Sequence, residues 1–227
     1  MKLKVCGMKH IENIQQVAEL QPDYLGFIFY EKSPRNFEGI IPELPQGVKK
    51  VGVFVNEYVE IVVSLIQEYQ LDVVQLHGEE SVEYIKKLKE VFQTAEEEQI
   101  SQLKKKRNPK TIEVIKVFGI KEEFDFSVLK PFEEVVDYFL FDTKGKERGG
   151  NGVTFNWKVL ENYDSKTPFF LSGGIGLEEV SEVQKLMKLS LPIHALDVNS
   201  KFETQPGVKS IKDIKKFKHA VITNEVK

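Results

Sequence analysis

The chain has 227 residues, 41% hydrophobic and 30% charged, which suits one soluble domain with a sizeable core. A formal net charge of -3 excludes a broad electrostatic footprint for nucleic acid or an anionic membrane. The single cysteine forms no internal disulfide, Met1-Lys2-Leu3-Lys4-Val5 is too short an apolar run for a signal peptide, and no stretch reaches membrane-span length; a cytoplasmic location is expected.

Short apolar runs alternate with amphipathic stretches along the chain. Residues 3–6 predict a first strand, and Ile11, Ile14, Val17 and Ala18 then recur at helical spacing. Strands follow at 24–29 and 50–55, but Pro34, Pro42 and Pro45 leave little room for a regular helix between them. Val59, Val62, Ile66 and Tyr69 mark the next helix, 72–76 the fourth strand, and Val82, Ile85, Leu88 and Phe92 the helix after it. The segment 93–110 is charged and poor in apolar residues, so it reads as a helix extension or charged insertion on the N-terminal face. Its Lys104-Lys105-Lys106-Arg107 run is balanced by Glu96-Glu97-Glu98. Residues 112–118 form the fifth strand, and Pro131 limits the helix that follows. The sixth strand, 137–141, precedes a short helix carrying Phe155, Val159 and Leu160. The seventh, 168–171, leads into Val180, Val183, Leu186 and Met187; the eighth, 193–198, into Ile211, Ile214 and Phe217. This alternation predicts an α/β fold, a single closed (β/α)8 barrel over 1–227, since about 250 residues is usual for that fold. An open doubly wound sheet is the alternative.

Barrel enzymes keep their chemistry at the C-terminal ends of the strands. There the first strand places Cys6-Gly7 and the sixth Asp142, which precedes the charged, glycine-rich loop 143–152. Cys6 is either a small buried hydrophobe or a thiolate base or nucleophile. Asp142 is either a loop carboxylate or a catalytic one. The seventh strand ends Ser172-Gly173-Gly174-Ile175-Gly176 and the eighth Asp197-Val198-Asn199-Ser200. In such barrels these two loops commonly cradle a phosphate, so Gly173, Gly174, Ile175, Asp197, Asn199 and Ser200 form a candidate anion site; the bland reading is a tight turn. Arg35 offers a planar fork for a carboxylate or phosphate. His77 is read as hydrogen-bonding within the loop layer, with titration as the alternative.

Together these segments resemble the phosphoribosylanthranilate isomerase family. The resemblance is carried by Lys4-Val5-Cys6-Gly7, by 25–30 with Lys32-Ser33-Pro34-Arg35, by 51–56, and by 74–80 around His77. It continues through Phe141-Asp142-Thr143, Gly149-Gly150-Asn151-Gly152 with Phe155 and Trp157, Ser172-Gly173-Gly174-Ile175, and Asp197-Val198-Asn199-Ser200 with Pro206-Gly207-Val208-Lys209. The family usually has a GGTG-like segment at 149–152, glycine at Lys201 and an acidic residue at Ser210, and it is shorter over 93–110. Lys201 would disturb the phosphate loop if that backbone needed positive φ.

The resemblance implies conversion of N-(5-phosphoribosyl)anthranilate to 1-(2-carboxyphenylamino)-1-deoxyribulose 5-phosphate, an Amadori rearrangement of tryptophan biosynthesis. It implies Cys6 as general base and Asp142 as general acid, and Arg35 against the anthranilate carboxylate. His77 and the two glycine-bearing loops complete the substrate-binding set. No cofactor or metal is expected; the partner is a small phosphoribosyl molecule, with neither nucleic acid nor membrane, and the assembly is a monomer or homodimer. Rival readings are an FMN-dependent barrel oxidoreductase and a non-catalytic phosphosugar-binding barrel.

Overall fold

The computed structural model describes residues 1–102, 110–121, 123–143 and 157–222. β1 (Lys2–Val5) turns Leu3 and Val5 toward the surrounding helices and Lys4 toward the interior. β2 (Tyr24–Phe29), β3 (Lys49–Phe54), β4 (Val73–Leu76), β5 (Glu113–Ile120), β6 (Tyr138–Thr143), β7 (Phe169–Leu171) and β8 (Ile193–Val198) follow, all parallel. β1 pairs with both β2 and β8, which closes the sheet into an eight-stranded barrel without a free edge.

Alternation along each strand divides the core in two. Tyr24, Val51, Val73, Ile115, Leu140, Phe170 and Ala195 fill the lumen. Leu25, Phe54, Val74, Phe139 and Leu196 face outward onto helices α1 (Ile11–Glu19), α2 (Val59–Tyr69), α3 (Val82–Gln102), α4 (Val180–Leu186) and α5 (Ile211–Val221). Each fully buried side chain of this size contributes about 1.5–3 kcal/mol. The N-terminal mouth is closed by Tyr24, Tyr138 and His194: the Tyr24 hydroxyl lies 2.8 Å from His194 Nε2, and the Tyr138 ring centroid lies 4.2 Å from that of His194. A Lys49–Glu113 ion pair lies beside them.

The prolines act as expected. No α-helix separates β2 from β3; instead Phe37 folds back against Phe27, Phe29 and Tyr69. After β5 a 3-10 helix, Phe126–Phe132, holds Pro131. The helix expected from Phe155 is a 3-10 helix, Trp157–Asn162, while Phe155 itself lies outside the described residues. The charged stretch at 93–110 starts as helix, since α3 continues to Gln102. It is not merely solvated: Glu96 is buried and accepts the Lys110 N–H at 3.1 Å, and Lys110 Nζ reaches Asp72 at 2.9 Å. Residues 103–109, with the basic run, lie outside the described part. A hairpin of β9 (Glu203–Gln205) and β10 (Val208–Lys209) after β8 was not expected. No helix among the described residues is long and apolar enough to cross a membrane.

Candidate active site

Cys6 follows β1 directly, and its N–H donates to the Val198 carbonyl at 2.9 Å. Its thiol is buried and fits only because β2 offers a glycine: a Cβ on Gly26 would lie 2.8 Å from Cys6 Sγ. Two residues earlier on the same face, Lys4 is fully buried and donates to Asp197 Oδ1 at 2.8 Å. Lys4 and Asp197 are register partners across β1 and β8, so strand pairing itself sets them side by side. Ser172 at the end of β7 donates to the other Asp197 oxygen at 3.3 Å. Burial pushes the Cys6 thiol above its ordinary pKa, and the Lys4 ammonium opposes that shift. Burial acts to lower the Lys4 pKa, but Asp197 and Cys6 outweigh it and the net direction is upward.

Asp142 occupies the next inward position on β6 after Tyr138 and Leu140, at the C-terminal mouth, and is buried. His77 Nε2 stands 3.7 Å from Asp142 Oδ2, and Gln75 Nε2 lies 3.4 Å from His77 Nδ1. The loop carrying His77 is fastened from outside the barrel. Glu80 accepts N–H groups of Asn56 (2.8 Å) and Gly78 (2.9 Å), while Lys116 Nζ donates to Glu80 (2.9 Å) and to the Gly78 carbonyl (2.7 Å).

Arg35 is held by a residue that the sequence did not single out. Its Nε and Nη2 both donate to Glu203 on the hairpin. Glu203 also accepts from Lys209 Nζ at 2.7 Å and from the Gly207 N–H at 3.0 Å. Lys209 is itself pinned by Asn13, whose amide exchanges two hydrogen bonds with its backbone. Burial acts to raise the Glu203 pKa, but Arg35 and Lys209 prevail and hold it below the ordinary value.

Gly173 and Gly174 have φ of 88° and 67°, a region favoured by glycine, and Ile175 is buried. Ser200 opens the facing 3-10 helix, Ser200–Phe202. Lys201 causes no backbone strain, because it sits in that helix and is not among the positive-φ residues. Its Cβ instead packs beside Gly176, where an added Cβ would lie 3.2 Å away. Two residues expected in the cradle have other partners: Asp197 binds Lys4 and Ser172, and Asn199 Oδ1 accepts from Lys209 Nζ at 2.6 Å. Gly149-Gly150-Asn151-Gly152 lies outside the described residues.

The structure thus brings Cys6, Asp142, His77 and Arg35 to one mouth of the barrel, and adds Lys4, Glu203 and Lys209. A lysine alternating with Cys6 in an apolar strand was the available signal for Lys4. Fold and site are those of a (β/α)8-barrel enzyme with a buried thiol and a buried carboxyl at its C-terminal face.

The sequence profile of PRAI, N-(5'phosphoribosyl)anthranilate (PRA) isomerase, matches residues 3–107 and 90–220. The N-(5'-phosphoribosyl)anthranilate isomerase of Phocaeicola vulgatus is 38% identical over 209 residues, 92% of each chain. That of Parabacteroides distasonis is 37% identical over 223 residues, 96% of this chain and 91% of that one. The phosphoribosyl anthranilate isomerase structure from Thermotoga maritima superposes with a TM-score of 0.78 at 33% identity, covering 97% and 98% of the two chains. A phosphoribosyl anthranilate isomerase in complex with reduced 1-(o-carboxyphenylamino)-1-deoxyribulose 5-phosphate gives 0.75 at 30% identity, with the same coverage. The chain belongs to the phosphoribosylanthranilate isomerase family.

Proposed function

We propose that this site performs the family's isomerisation in tryptophan biosynthesis through Asp142 as general acid and Cys6 as general base. Protonated Asp142 gives its proton to the furanose oxygen of N-(5'-phosphoribosyl)anthranilate as the C1–O bond breaks, and the nitrogen lone pair forms the C1 iminium. That cation acidifies the C2–H bond. The Cys6 thiolate takes this proton, and the electron pair of the broken bond neutralises the iminium to an enolamine. Loss of the O2 proton and protonation of C1 then give the ketone. One proton passed from the Cys6 thiol to the Asp142 carboxylate through solvent restores the starting state. Every step is redox-neutral, and the substrate and product are isomers.

Arg35 meets the anthranilate carboxylate, and the loops at Gly173-Gly174-Ile175 and Ser200 hold the phosphate away from the reacting carbons. That remote binding supplies positioning. The single observation that carries the reading is the placement of Cys6 and Asp142, a buried thiol and a buried carboxyl, at the same mouth of one closed barrel.

The test is turnover of substrate made in situ from anthranilate and phosphoribosyl pyrophosphate, followed as loss of its fluorescence. Loss of fluorescence that depends on the purified chain is expected. Binding without turnover, or a yellow protein that turns over only with flavin, would overturn the proposal.

A further inference from the structure

We propose that Lys4 is a positioning residue of this reaction: its buried ammonium holds the charge that Cys6 carries as base, and Asp197 holds the ammonium. The proposal rests on the reading of Cys6 as the base.

A lysine costs several kcal/mol to bury, so its complete enclosure calls for specific partners. Lys4 has two. Asp197 accepts at 2.8 Å from the neighbouring strand, and Cys6 lies two residues on along the same inward face. Charge counting shows what the pair lacks. In the resting site Lys4 and Asp197 neutralise each other, and Ser172 supports the second Asp197 oxygen. When Cys6 loses its proton, the lumen gains a negative charge in surroundings that exclude water. The Lys4 ammonium, held by Asp197 on the same inward face, favours that thiolate more strongly than Lys209 does.

Among the described residues, β2, β7, β8 and β10 contribute the other groups that act on Cys6. β2 contributes Gly26, which carries no charge, and β7 contributes the Ser172 hydroxyl through Asp197. β8 contributes Asp197, which disfavours the thiolate, and β10 contributes Lys209, which favours it. Lys209, however, is already shared between Glu203 and Asn199, with Arg35 also bound to Glu203. Lys4 and Asp197 therefore act on the thiol with opposite signs, although they form one ion pair.

The chain has one cysteine, so a 13Cβ-labelled cysteine gives a single resonance whose shift reports thiol ionisation directly, without turnover. Lys4→Met alone leaves a buried carboxylate without its ammonium and risks misfolding. The comparison is therefore between Asp197→Asn and the double variant Lys4→Met/Asp197→Asn, in which neither charge remains. Asp197→Asn is expected to bring the thiol midpoint below that of the wild type. Adding Lys4→Met is expected to raise it again by roughly one to three pH units, the usual effect of one nearby opposite charge. Equal midpoints in the two variants, or a thiol still protonated at the alkaline limit of both, would overturn the proposal. Turnover by Cys6→Ala separates the two readings: normal turnover would remove Cys6 as base, whereas a dead variant with equal midpoints removes only Lys4.

Discussion

Arg35 lays two guanidinium nitrogens on the Glu203 carboxylate, with Nη2 only 2.6 Å from Oε2. The contact joins the loop after β2 to the hairpin after β8, across the mouth that holds Cys6. Glu203 occupies the Nε side of the fork and fixes its plane, and the proposed contact with the anthranilate carboxylate would fall to the rest of the guanidinium.

Glu203→Gln is therefore expected to raise KM about tenfold, the scale of one lost charge-assisted hydrogen bond, with a smaller change in kcat. Arg35→Lys should do the same, because an ammonium has no planar fork. Steady-state kinetics on both variants check this. Unchanged KM in both would remove Arg35 from the substrate site.

Gly26→Ala should cripple the enzyme while leaving it folded. The added Cβ would lie 2.8 Å from Cys6 Sγ and 3.1 Å from its Cα, so the thiol must move. Displacement by about 1 Å costs on the order of 100-fold in rate, and overpacking costs about 1–3 kcal/mol of stability. Kinetics and denaturant melts on one preparation decide it. Wild-type turnover would mean that the thiol position is not critical.

The eight strands were legible because their apolar runs are bounded by helical patterns, and their observed ends fall within one or two residues of those expected. The strand-end position of Cys6 and Asp142 was equally visible. The support around them was not. Glu203 and Lys209 lie in a short polar stretch with no periodicity, and nothing local tells that they converge on Arg35. Lys4 belongs to the Lys4-Val5-Cys6-Gly7 segment that carries the resemblance, but its pairing with Asp197 comes only from closure of β1 against β8. The strand-end position of Asp197 and Asn199 suggests cradle residues; the structure instead pairs Asp197 with Lys4 from β1 and has Asn199 accept a hydrogen bond from Lys209 across the hairpin turn.

At the opposite mouth, burial lowers the pKa of His194 to about 4, and Lys2 and Lys49 add to the shift while Asp23 opposes it. The folded state thus disfavours the imidazolium relative to the unfolded chain. The stability this gives is complete above about pH 6.5 and falls as pH drops toward 4. With solvent screening at this half-buried site, the loss is on the order of 1–2 kcal/mol. His194→Gln should flatten that part of the pH–stability curve. Parallel curves for variant and wild type between pH 6.5 and 4 would contradict the assignment.

The central claim is proton transfer by a side-chain acid and base at the barrel mouth, and Asp142→Asn tests it most directly. Asparagine keeps the shape of the side chain but cannot act as an acid. The measurement is turnover together with affinity for reduced 1-(o-carboxyphenylamino)-1-deoxyribulose 5-phosphate on the same folded preparation. Turnover should fall by at least about 100-fold, the lower end for a positioned general acid, while affinity changes far less. Near-normal turnover would contradict the acid role, and equal losses in turnover and affinity would make Asp142 a binding or folding residue instead.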